Sequence, residues 1–163
     1  MIMWFFMNTC YGFSLLTLVF LIVAFFQSFL KFNIGQANHV TFMVLTSIVY
    51  FFTQTLVIFF FVGTGVSIRE YTQEHQMDAG FHRRSIAIKR RVYPPVLLNM
   101  LWLSVLFVIV GAVDTYRVPG WIYYAFFVFC IADYVRTKVK ENACFRDNTD
   151  IILEMSGLKA KAT

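Results

Sequence analysis

The sequence predicts an all-α integral membrane protein, a four-helix bundle with both termini on the cytoplasmic side. Three observations predict it: composition, long stretches without charge, and segregation of the cations. Hydrophobic residues make up 59% of the 163 positions and charged residues 14%, against ~45–50% and ~25% in soluble domains. A water-soluble fold of this size has too much surface to hide so much apolar material. Twenty phenylalanines point the same way.

No Asp, Glu, Lys or Arg occurs from Met1 to Leu30, from Phe32 to Ile68, from Val92 to Val113 or from Val118 to Ala132. About 20 apolar residues cross the hydrocarbon core as a helix. The first three runs reach that length. The fourth does so only if it continues through Asp133 to about Arg136, with the arginine reaching back to the headgroups. The expected spans are residues 3–30, 40–66, 94–114 and 119–137, joined in one domain covering 1–163.

Each element has its own signal. The start of the chain lacks the basic leading segment and small-residue cleavage site of a secretory signal, so the first helix is expected to remain. Asn33, Gly35 and Asn38 favour a tight turn after it. Pro94 and Pro95 are expected to open the third helix, because proline is tolerated at a helix start and not in its interior. Pro119 suits the start of the fourth, and Trp121, Tyr123 and Tyr124 suit an interfacial aromatic belt. Within the expected cytoplasmic tail, residues 138–163, Ile151, Ile152, Met155 and Leu158 form one apolar stripe. They predict a short amphipathic cytoplasmic helix, with Asn148 or Thr149 as N-cap and Gly157 near its end.

Orientation follows from the basic residues. Six of the fourteen lie in the 69–92 loop and six in the segment from Arg136 onward. Only Lys31 and Arg117 fall on the other side. Such a bias places the loop and tail in the cytoplasm, and it favours four spans over three. A bacterial inner membrane is the expected location, with an organellar membrane as the other option.

Candidate sites are few. Gly63, Thr64 and Gly65 form a small-residue cluster near the cytoplasmic end of the second span, suited first to helix packing and second to a lipid headgroup or quinone. Ser47, Tyr50 and Gln54 form a polar stripe on that span, which is expected to face another helix. Asn99 is the plausible partner of Gln54. Arg83, Arg84, Lys89, Arg90 and Arg91 could hold anionic lipid, with Ile86 and Ile88 letting the segment lie along the membrane. Asp114 with Arg117, and Asp133 with Arg136, read as local pairs.

No chemistry is named by these residues. His39, His75 and His82 all lie outside the bilayer, so the chain alone is not expected to ligate haem. His75, Asp78 and His82 share a helical spacing, but Gly80 interrupts it and the setting is solvated, so no metal is expected. Cys10, Cys130 and Cys144 form no metal or disulfide pattern. The net charge of +5 comes without a stacking platform or groove-entering motif, so nucleic acid is not an expected partner. The reading is a non-catalytic accessory or structural subunit of a larger membrane complex, energy-transducing by preference, whose partners are lipids and other transmembrane subunits. The alternative is a small quinone- or lipid-binding or transport protein using the polar face of the second helix.

Overall fold

The computed structural model describes residues 2–115 and 119–157. It contains four helices, α1 (Ile2–Leu30), α2 (His39–Glu74), α3 (Gly80–Asp114) and α4 (Gly120–Met155). Three of them, α1, α2 and α3, are long and apolar enough to cross a membrane. Each helix packs on its neighbours in the order α1–α2–α3–α4 and back to α1, the arrangement short turns impose on an antiparallel bundle.

The α1–α2 turn forms as its residues suggest. Gly35 takes the left-handed backbone conformation (φ 62°), which glycine adopts without steric penalty. Ile34 and Ala37 exchange backbone hydrogen bonds across the turn, and the Asn38 side chain accepts from the Thr41 amide at 2.9 Å, capping α2.

At the other end the helices run on past their apolar stretches. α2 continues to Glu74 and α3 begins at Gly80, so the expected loop shrinks to a turn between them. Pro94 and Pro95 therefore lie inside α3, contrary to the sequence expectation. Two lost amide donors are offset by packing, because Ile88, Val92 and Val96 follow one face of the helix into the core. α4 likewise continues without a break through the tail, so the stripe expected as a separate helix is the last part of α4. Asn148 and Thr149 are buried inside it and cap nothing; Thr149 donates to the Phe145 carbonyl within the helix. Gly157 (φ 71°) does follow the helix end. Leu158, Arg117 and the Asp114 side chain lie outside what is described, and with them the Asp114–Arg117 pair.

This extension places the basic residues 83–91 inside α3. At a rise of about 1.5 Å per residue, the 36 residues of α2 span about 54 Å, well beyond a ~30 Å hydrocarbon core. The 83–91 segment continues the axis of α3 rather than lying across it. Arg84 pairs with Glu154 at 2.5 Å, and Arg91 with Asp147, both bridging α3 to α4. The carboxylate bonded to Arg84 holds its guanidinium above the usual arginine range. Arg83 and Arg90 are exposed.

Candidate functional site

The core divides into two apolar halves. Toward the basic end lie Cys10, Val57, Phe61, Val96, Cys144 and their neighbours. Toward the other end lie Leu21, Met43, Leu103, Leu106, Phe127, Tyr134 and theirs. Between these halves every helix contributes buried polar side chains: Thr17 from α1, Thr53 and Gln54 from α2, Asn99 from α3, and Glu141 beside Lys138 from α4. They form a polar belt across the bundle.

Two networks make up most of the belt. In one, Tyr50 donates from its hydroxyl to Asn99 Oδ1 at 2.9 Å, and Asn99 Nδ2 donates to Asp133 Oδ2 at 2.9 Å. In the other, Lys138 Nζ meets Glu141 Oε2 at 2.7 Å and reaches Gln54 Oε1 at 3.4 Å, with the ammonium 5.1 Å from the centre of the Tyr134 ring. The Lys138 side chain is 17% exposed and that of Glu141 only 2%. Thr17 and Thr53 close the α1–α2 side through their hydroxyls at 2.9 Å, and Tyr134 ties α4 to the Ser14 carbonyl. Glu141 Oε1 and Gln54 Nε2 are buried without a hydrogen-bond partner among the described residues.

The sequence-read stripe is thus partly rearranged. Tyr50 and Gln54 face inward as expected, but Ser47 turns back to the Val44 carbonyl and Thr53 takes its place. Gln54 meets Lys138 instead of Asn99. Asp133 is held by Asn99, and no ion pair joins it to Arg136 among the described residues. Sequence reasoning found no deep carboxylate and missed Glu141. Its signal was present: Phe127, Cys130, Tyr134, Thr137, Glu141, Cys144, Asn148 and Ile151 recur every three or four residues without interruption.

The belt does not continue across the bundle. Leu21, Ala24, Leu103, Leu106 and Phe127 are fully buried on its far side, with Met43 nearly so. They form an apolar plug, and the buried Thr46 hydroxyl in the same stretch of α2 turns back to the Phe42 carbonyl.

The glycine cluster splits as well. Gly65 receives the Lys89 side chain, since a Cβ there would collide with its ammonium and come within 3.2 Å of Ser85 Oγ. Burial holds the Lys89 ammonium below the usual lysine range. Gly63 and Thr64 face the opposite way and line an apolar groove of about 490 Å³. Phe6 from α1, Ser67 and Tyr71 from α2, and Ile152 from α4 complete its walls. Nothing lies within 4 Å of where a Gly63 Cβ would stand.

The histidine cluster is not assembled. His75 ends α2 and stacks on Tyr71, whereas Asp78 accepts from the Gly80 amide at the start of α3. No group of three metal-ligating side chains occurs among the described residues. Comparison with known proteins adds nothing: no family model, curated protein or solved structure matches this chain.

Proposed function

We propose that this chain is a non-catalytic accessory or structural subunit of a larger integral membrane assembly, of the energy-transducing kind by preference. It sits in a bacterial inner membrane with its basic end in the cytoplasm, and the first half of α4 makes a fourth crossing. Tyr124 and Tyr134 bond α4 to α1 at Ser28 and Ser14, which supports placing that half at the depth of the α1 span. Within the basic stretch of α3, the exposed Arg83 and Arg90 make no ion pair among the described residues and are left to meet anionic headgroups.

One observation carries the subunit reading. Gly63 weakens its own helix by about 1 kcal/mol relative to alanine, yet it accommodates nothing in its own chain. Small residues facing outward from a membrane helix let a second helix approach closely. The Gly63–Ser67 edge of the groove suits such an approach, while the polar side chains that could serve transport are turned inward and blocked by the plug. Gly63→Leu should leave the chain inserted and folded, yet remove whatever co-purifies with it in mild detergent. A wild-type chain that purifies alone and monodisperse would end the subunit reading.

The same groove favours a second reading, the binding of a quinone or lipid. Phe6 and Phe60 stand with ring centroids 6.1 Å apart, and a flat ring could lie against them. In that case Gly63→Leu displaces a small molecule rather than a protein, and mass spectrometry of the purified sample separates the two outcomes.

A further inference from the structure

The end of the bundle opposite the basic stretch holds a second cavity, of about 510 Å³. It lies on the far side of the apolar plug from the polar belt. All four helices and the α1–α2 turn contribute to it, so it is the mouth of the bundle rather than a crevice on its side.

Its floor carries a buried acceptor. Gln27 is fully buried, and its Nε2 donates to the Ala37 carbonyl at 3.0 Å, which fixes the amide orientation. That leaves Gln27 Oε1 without a hydrogen-bond partner among the described residues. A buried acceptor left unpaired costs about 1–3 kcal/mol, so the position calls for a ligand that donates. One helical turn further on, Lys31 supplies a cation at the rim, on a backbone held in the left-handed region (φ 51°). That conformation is a common ending for a helix, and the Lys31 amide donates to the Gln27 carbonyl at 2.9 Å. Gly120, in the first turn of α4, also borders the cavity, and among the described residues no side chain caps that helix. Uncapped amides at a helix start favour an anion. Val40, Val110 and Val113 add apolar wall, while Ser28, Asn33, Asn38 and the bonded pair of His39 and Tyr123 make the rest of the lining polar.

A donor at the floor and an anion near the rim, in a lining of mixed polarity, describe a single zwitterionic head. We propose that this mouth binds a zwitterionic amine–phosphate head of the phosphoethanolamine type. Its ammonium donates to Gln27 Oε1. Its phosphate accepts from Lys31 and from the first-turn amides of α4. The head can belong to a phospholipid or to a soluble ester, and the chemistry is the same for both. The inference goes beyond the subunit reading and does not depend on the groove at Gly63.

Native mass spectrometry of the delipidated full chain tests it, with an equimolar mixture of phosphatidylethanolamine, phosphatidylcholine and phosphatidylglycerol. A choline head carries no N–H, and a glycerol head carries no ammonium. The ethanolamine lipid should be retained about tenfold more than either, the value of one charge-assisted hydrogen bond. Lys31→Met, a change at an exposed position, should reduce its retention by about as much. Gln27→Leu should abolish the preference for ethanolamine over choline. Displacement by soluble O-phosphoethanolamine would assign recognition to the head alone; resistance to it, with the preference kept, would assign the site to the lipid. Equal retention of the ethanolamine and choline lipids, or retention indifferent to Lys31→Met, would overturn the proposal.

Discussion

Lys138→Met should destabilise the bundle by about 3–5 kcal/mol, and adding Glu141→Leu should recover most of that loss. Removing one member of a buried ion pair strands the other charge, and that penalty exceeds the net value of the pair. Glu141 is 2% exposed, so stranding it leaves a carboxylate with almost no access to water. Replacing both by apolar side chains of similar volume removes the stranded charge together with its penalty, and such replacements are often neutral or stabilising. Unfolding of the two variants in mixed micelles of increasing denaturing detergent checks the order. If the pair behaves like an exposed one, both variants will lie within about 1 kcal/mol of wild type. The burial of Glu141 would then be wrong.

Asn99→Leu should rank next. Asn99 both accepts from Tyr50 and donates to Asp133, so its loss leaves two side chains from different helices without the partner they share. At about 1–3 kcal/mol for each stranded group, and toward the low end for Asp133, which is only half-buried, the expected cost is about 2–4 kcal/mol. Tyr50→Phe removes one donor and should cost about 1 kcal/mol or less, near the ~0.6 average measured for hydrogen bonds between membrane helices. The same detergent titration reads both. Equal effects from the two substitutions would mean that Asn99 does not link α2 to α4.

The three long apolar helices were legible because charge is so costly in hydrocarbon that its absence over 20 residues speaks for itself. The α1–α2 turn was legible for a local reason: Gly35 and Asn38 act on backbone within a few residues of themselves. Pro94 and Pro95 misled because their penalty is local, whereas the packing of Ile88, Val92 and Val96 that outweighs it comes from other helices. Lys138 and Glu141 were hidden by their own charge. Seen one residue at a time they belong to an aqueous tail, and only the unbroken periodicity of α4 turns them inward. Ser47 and Thr53 flank Tyr50 by about 60° on either side of the helix. The hydroxyl of Thr17 selects Thr53, and that choice requires knowing where α1 packs.

In the proposed topology the chain crosses the bilayer four times, with the α2–α3 turn and the end of α4 on the cytoplasmic side. Single cysteines introduced as Gln36→Cys, Gln73→Cys and Ser156→Cys test it directly, all three positions being exposed and the native cysteines buried. With a membrane-impermeant thiol reagent, Gln36→Cys should label in intact cells, and the other two only after the membrane is opened. Labelling of Ser156→Cys together with Gln36→Cys in intact cells would contradict the account, because α4 would then not cross.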